Sequence, residues 1–232
     1  NNKMKIAILP AKKRSERLKN KNFKKIKGVP VYIYTIRKII SYSIFDKIII
    51  SSDETKIQKD LKKYLPKSSK IIFFRRKKEY CKKNISTHTV ILDVIKKLAI
   101  NDNDIVTCIY PTSFLIKKID LTNILKMLYK KPNYYIIPVC NYDYNVDRYF
   151  TLSRKNVISR LSKTFFKKQQ YPLNTIFHDA GQHYSAFVKT WKKQKNLLGK
   201  STIGKIIPSW RSQDIDYLYQ WESAIKIYEN KR

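Results

Sequence analysis

Short apolar runs alternate along this chain with longer segments in which apolar residues recur at helical spacing. That alternation predicts an α/β domain with a mainly parallel sheet. The first run, Lys5-Ile6-Ala7-Ile8-Leu9-Pro10, predicts a strand, and a basic loop follows it to Asn22. A helix is predicted from near Pro30, where proline suits the first turn. Further strands are predicted at Lys47 to Ser51, Ile71 to Phe74, Ile105 to Tyr110 (stopped by Pro111) and Tyr134 to Val139. Helical spacing fills Thr55 to Tyr64, Thr87 to Ala99, Leu121 to Tyr129 and Tyr217 to Glu229. The stretch from about Cys140 to Thr175 breaks the rhythm with Tyr, Asn, Lys and Gln, and reads as an arm or flap leaving the sheet. The expectation is one domain over residues 1–232, without internal repeats.

Composition refines this picture. At 232 residues and 43% hydrophobic, the chain has apolar material for one substantial core. No apolar run is long enough to span a bilayer, and the first residues lack a secretory signal pattern, so a cytoplasmic protein is expected. Cys81, Cys108 and Cys140 form no CxxC pair and read as reduced, structural thiols. Fifty Lys plus Arg against seventeen Asp plus Glu give a net charge of +33. The lysines are spread along the whole chain amid many Ile, Asn and Tyr, which fits a compositional drift, and no DNA- or RNA-binding motif accompanies them. Anionic substrates are attracted on either account, more strongly at low salt.

Candidate chemistry gathers where strands end. In open α/β sheets ligands bind at the carboxyl ends of the strands. The loop after the first strand carries Lys12, Lys13, Arg14, Ser15, Arg17, Lys21 and Asn22; later strand ends offer Ser51, Ser52, Asp53, Arg75, Arg76, Thr112 and Ser113. Those cations and hydroxyls suit a triphosphate, without the Gly-rich Walker or GxGxxG pattern; a merely solvated basic loop is the competing reading. Asp214-Ile215-Asp216 places two scarce acids at i and i+2, on one face of a strand. Such a pair suits Mg²⁺, which is commonly held by one or two carboxylates plus substrate phosphate. The alternative is a strand end with Asp216 capping the next helix. Phe177 to Tyr184 is the densest polar cluster; His178 with Asp179 could form an acid–base pair, but sugar recognition suits its mixed donors and acceptors better.

These residues resemble the acylneuraminate cytidylyltransferase family. The match begins at Ile8-Leu9-Pro10-Ala11, includes Ser15, Leu18, Lys21 and Asn22, and continues through Gly28 and Pro30. Later matches are Ser51-Ser52-Asp53, Arg76 with Glu79, Tyr110-Pro111-Thr112-Ser113, Trp210 to Asp216, and Trp221-Glu222. Within the family, His178-Asp179-Ala180-Gly181-Gln182 and Tyr110 resemble the branch that activates pseudaminic acid. The chain departs from the family pattern at Lys12 (usually Arg), Lys13 and Arg14 (usually glycines), Glu16 (usually Lys) and Lys83 (Asp in sialic acid enzymes). Bulk in place of the glycines is expected to hinder close approach of a triphosphate.

The resemblance implies a Rossmann-like, glycosyltransferase-A-like three-layer nucleotidyltransferase with a small dimerisation excursion at 140–175. It implies transfer of CMP from CTP to the anomeric hydroxyl of a nine-carbon acidic sugar, pseudaminic acid, with Mg²⁺ as cofactor and a homodimer as assembly. Lys12, Lys21, Asp214 and Asp216 would be catalytic, the two acids holding the metal. Ala11, Lys12, Ser15, Lys21, Asn22, Arg76 and Thr87 would bind the nucleotide; Tyr110, Thr112, His178, Asp179 and Gln182 would bind the sugar. Legionaminic or N-acylneuraminic acid is the alternative substrate. A basic nucleic-acid-binding protein on a degenerate scaffold is the alternative of another class, and no specific nucleic acid or membrane partner is expected.

Overall fold

The first apolar run alternates Ile6 and Ile8 on one face with Ala7 and Leu9 on the other, and all four are buried. A strand buried on both faces belongs in the middle of a parallel sheet covered by helices. The computed structural model of the protein describes residues 3–143, 146, 149–161, 176–212 and 214–230. Its strands begin with Lys5–Pro10 (β1), Lys25–Ile26 (β2), Val29–Pro30 (β3), Lys47–Ser52 (β4), Ile71–Arg75 (β5) and Ile105–Ile109 (β6). They continue with Tyr135–Asn141 (β7), Phe150–Leu152 (β8), Ile158–Leu161 (β9), Phe177–Asp179 (β10), His183–Phe187 (β11) and Thr202–Ile206 (β12). The helices are Val31–Ser41 (α1), Lys56–Tyr64 (α2), Thr87–Lys97 (α3), Lys118–Lys130 (α4), Val188–Lys193 (α5) and Leu218–Glu229 (α6).

Among the described residues the main sheet has eight strands, with the path β10-β7-β11-β6-β1-β4-β5 and β12 also on β7. β1 pairs in parallel with β4 and β6, β4 with β5, and β12 with β7. β11 runs antiparallel between β6 and β7, and β10 antiparallel to β7. The mixed α/β fold with a mostly parallel sheet is the one the sequence predicts. Ile6 and Ile8 pack with Ile91, Val94 and Ile95 of α3 and Trp191 of α5. Ala7 and Leu9 pack on the opposite face with Ile33 and Ile36 of α1, Ile57 of α2 and Leu121 of α4. These are the three layers.

Several elements differ from expectation. His183 to Phe187, part of the polar cluster, is a fully buried strand inside the sheet, where the Thr107 and Ser185 hydroxyls satisfy each other at 2.9 Å. Asp214 to Asp216 is not a strand; it lies in irregular chain between the 3-10 turn Ser209–Arg211 and α6. Asp216 does not cap α6 either: Tyr217 holds the cap position, and Gln220 Oε1 accepts the Asp216 and Tyr217 N–H groups at 2.7 and 2.9 Å. The excursion at 140–175 lies largely outside the described residues; within it, β8 and β9 pair as a separate two-stranded ribbon. Among the described residues no helix is long and apolar enough to cross a membrane.

Candidate active site

The basic loop after β1 is organised by its own short polar side chains. Ser15 Oγ donates to the Leu18 carbonyl at 2.6 Å and accepts the Lys21 N–H at 2.8 Å. Asn22 Nδ2 donates to the Lys12 carbonyl at 3.0 Å, and Asn20 turns the chain with a left-handed φ of 54°. The fold thus closes the loop into a turn that faces a cleft of about 660 Å³ at the carboxyl end of the sheet. Lys12, Ser15, Glu16, Arg17, Lys21 and Asn22 all line this cleft. Lys13 and Arg14 do not: both are exposed, with ordinary negative φ, and the Lys13 amide donates to Asp53 at 2.9 Å. Their bulk is turned out of the cleft, contrary to the expected hindrance.

Two departures from the family pattern meet each other. Lys83, on the opposite lip, pairs with Glu16 at 2.8 Å. The ammonium holds the Glu16 carboxyl below its ordinary value, and the carboxylate raises the Lys83 ammonium. Both side chains are exposed, so the pair contributes little stability.

The floor and far wall come from β4, β6 and the β10–β11 turn. Arg76 is buried, donating to the Ser51 hydroxyl at 3.2 Å and the Ser51 carbonyl at 2.8 Å. Burial lowers its pKa, yet a guanidinium stays charged in proteins. Thr87 Oγ1 lies 3.2 Å from the Tyr110 hydroxyl, and Tyr110 meets Tyr184 edge to face at 5.7 Å. Tyr184 donates to Asp179 Oδ2, and the Gly181 N–H donates to Asp179 Oδ1 at 2.9 Å. Burial pushes both tyrosines up, so each remains a protonated donor.

The acidic pair completes the cleft. Both Asp214 and Asp216 line it, while Ile215 between them is buried with Phe114 and Trp221. The i, i+2 facing expected of a strand therefore survives without a strand, because Ile215 is drawn into an apolar cluster. Lys21 Nζ lies 2.8 Å from Asp216 Oδ1, and Arg17 lies 2.6 Å from Asp216 Oδ2. Asp214 opens toward the cleft; the protein packed behind it, and secondarily Asp216, raise its carboxyl pKa. Among the described residues no three His, Cys, Asp or Glu side chains gather as a metal-ligand set. The open Asp214 carboxylate offers hard oxygen donors that fit Mg²⁺, which retains water and takes substrate oxygens, and Asp216 would join it where Lys21 or Arg17 turns from its oxygens to a phosphate.

Of the residues expected at the site, Lys12, Ser15, Lys21, Asn22, Arg76, Thr87, Tyr110, Thr112, Asp179, Asp214 and Asp216 line one cleft. Three do not. Ala11 is buried, its N–H on the Ser51 carbonyl. His178 lies on the other side of its strand from Asp179, edge-on to Tyr142 at 5.0 Å. Gln182 is buried and donates to the Arg211 carbonyl. His183 is neutral, pushed down to about 3 by burial. The sequence gives Arg17 no role beyond a charge in the loop, and it includes Tyr184 in the polar cluster without assigning it as a site residue; its hydrogen bond to Asp179 is visible only in the fold, where β7 separates their two strands.

A mainly parallel sheet whose first strand leads into a cationic turn, with acids opposite, is suited to the phosphates of a nucleotide at the carboxyl ends of the strands. Two solved structures share the fold. One is CMP:2-keto-3-deoxy-manno-octonic acid synthetase complexed with CTP, with TM-score 0.68, 11% identity and coverage of 99% of this chain and 100% of that one. The other is 4-diphosphocytidyl-2C-methyl-D-erythritol synthase from Anaerococcus prevotii, with TM-score 0.64, 13% identity and coverage of 98% and 99%. The cytidylyltransferase family model matches residues 6–230, and the chain belongs to that family. Pseudaminic acid cytidylyltransferase of Campylobacter jejuni is 27% identical over 230 residues, covering 97% of this chain and 96% of the relative. A longer Helicobacter pylori protein, named pseudaminic acid cytidylyltransferase and UDP-2,4-diacetamido-2,4,6-trideoxy-beta-L-altropyranose hydrolase, is 26% identical over 97% of this chain and 43% of its own length. The chain is a cytidylyltransferase enzyme.

Proposed function

We propose that the sugar is a nine-carbon acid, pseudaminic acid, and that the products are CMP-pseudaminic acid and pyrophosphate. The observation that carries this reading is the meeting of the cationic turn with the acidic pair, Lys21 Nζ at 2.8 Å from Asp216, in a cleft that Asp179 enters from the far wall. The choice of sugar is supported by the relatives' names and by Asp179 and Gly181 of the His178 to Gln182 segment, which line that cleft.

In the transfer, the anomeric oxygen bonds to the α-phosphorus, the bond from that phosphorus to the β-phosphate oxygen breaks and releases pyrophosphate, and the hydroxyl proton passes to solvent. Asp214 and Asp216 would hold Mg²⁺, which when bound neutralises phosphate charge and acidifies the attacking hydroxyl. Lys12, Arg17 and Lys21 supply the cations for the triphosphate, and the Ser15 and Asn22 hydrogen bonds fix the turn that presents them. Positioned charge of this kind acts chiefly by being in place before reaction. Arg76 and Thr87 face the cytidine, while Tyr110, Thr112 and Asp179 face the sugar. The Asp179 carboxylate keeps acceptor capacity for sugar N–H or hydroxyl groups, because Tyr184 and the Gly181 amide hold it in place without filling both oxygens.

The test is pyrophosphate release from CTP with a panel of acidic sugars. Pseudaminic acid is expected to be turned over fastest, and chelation by EDTA to stop the reaction. Faster turnover of legionaminic or N-acetylneuraminic acid would replace the substrate, and full activity in EDTA would remove the metal. Lys21→Met is expected to lower kcat/KM for CTP by roughly a hundredfold with the fold retained, the scale of one preorganised charge contact. The exposed Tyr149, Leu152, Val157 and Ile158 of the β8–β9 ribbon support assembly as a homodimer; light scattering at monomer mass would reject it.

A further inference from the structure

The segment that delivers the acidic pair belongs to no sheet, so its course depends on side-chain contacts. Three of them act just before Asp214. The Arg211 side chain reaches Asp120 at the start of α4 at 2.6 Å, with both groups largely buried. The Gln182 side-chain amide donates to the Arg211 carbonyl. Ser212 Oγ donates to the Ala180 carbonyl at 3.2 Å. Asp214 itself then rests on the bare Cα of Gly181.

Gln182 is the joint of this arrangement. Its backbone carbonyl accepts the Tyr110 N–H at 2.9 Å and the Ser113 hydroxyl at 3.0 Å, tying the turn to the end of β6. Its side chain is 2% exposed and points away from the cleft toward the 3-10 turn. A buried amide aimed at the backbone of the acid-bearing segment cannot touch a sugar in the cleft. It can, however, set where that segment runs.

We propose that Gln182 is a positioning residue for the Asp214–Asp216 pair: its side-chain amide holds the Arg211 carbonyl and so fixes the approach of Asp214 to the cleft. The inference rests on the reading that this pair holds the catalytic metal. Partners outside the ligand set typically change metal affinity by roughly 10- to 100-fold when lost. Gln182→Met keeps the length and burial of the side chain and leaves both backbone hydrogen bonds intact, removing only the amide.

The experiment measures Mn²⁺ binding by electron paramagnetic resonance in the presence of CTP, alongside steady-state kinetics. Gln182→Met is expected to weaken Mn²⁺ binding about tenfold and to raise half-saturating Mg²⁺ in turnover by a similar factor, on the scale of such partners. The KM for the sugar is expected to stay within about twofold. Ser212→Ala, which removes a second anchor of the same segment, is expected to shift Mn²⁺ binding in the same direction by less, and it carries the test if Gln182→Met does not fold. Unchanged Mn²⁺ binding in the folded variants, with a raised sugar KM or only a lowered Tm, overturns the positioning role. Failure of the unsubstituted protein to bind Mn²⁺ with CTP overturns the metal reading, and this inference with it.

Discussion

Asp214→Asn is expected to lower CMP transfer by at least about a hundredfold while the protein stays folded, since a neutral amide is a poor partner for a hard divalent cation. The electrostatics of the pair sharpen the expectation. Burial and the neighbouring Asp216 raise the Asp214 carboxyl pKa. A native pKa above the unfolded value means that the native state binds the proton more tightly, so ionised Asp214 opposes folding at neutral pH. Its contribution to stability is greatest below the unfolded value of about 3.9 and disappears as pH rises through the native pKa. The asparagine variant should therefore melt no lower than the parent at pH 7, with any advantage vanishing under acid conditions. Thermal melts at pH 7 and pH 3.5, together with turnover, check both halves. Full turnover by Asp214→Asn would remove the residue from the metal site.

Gly181→Ala should also cost activity, by a different route. Gly181 has φ of 60°, and a Cβ there would stand 2.8 Å from Asp214 Cβ and 2.9 Å from its Cγ. Left-handed backbone costs a non-glycine residue about 1–2 kcal/mol. The clash adds a displacement, and what must move is the carboxylate of the acidic pair. Turnover should fall on the order of tenfold or more, since small misplacements of reacting groups have effects of up to roughly a hundredfold. Gly28→Ala is the control. Gly28 has φ of 80°, but nothing lies within 4 Å of the added carbon. It should lose stability of about 1 kcal/mol while keeping turnover. Equal losses of turnover in the two variants would mean that strain alone, not displacement of Asp214, is responsible.

The parts of the fold that sequence reveals are those whose chemistry is uniform. β1, β4 and β6 are nearly continuous apolar runs because helices cover both faces, and each is found where the pattern puts it. β11 escapes because His183, Tyr184 and Ser185 look polar although all are buried; Ser185 is satisfied by Thr107 across the strands, an arrangement that local pattern does not contain. β12 carries a glycine and, among the described residues, pairs only with β7, so it lacks the apolar density of a central strand. The cleft residues of the first loop are legible as a cluster of cations with small polar residues. Gln182 is not. Its neighbours in sequence suggest sugar recognition, and only three dimensions show its amide turned toward Arg211.

Lys21 and Asp216 touch although they stand 195 positions apart in sequence. Closing so long a span is entropically slow relative to local structure, though the added free-energy cost grows only with the logarithm of its length. The apolar contacts of Ile215, Trp221 and Ala224 against Leu18, Ile26 and Phe114 offset that cost close to the polar contact itself. During synthesis, the opening strand and its turn leave the ribosome long before their acidic counterpart. The cleft of a nascent chain of this design is therefore complete only once α6 has docked.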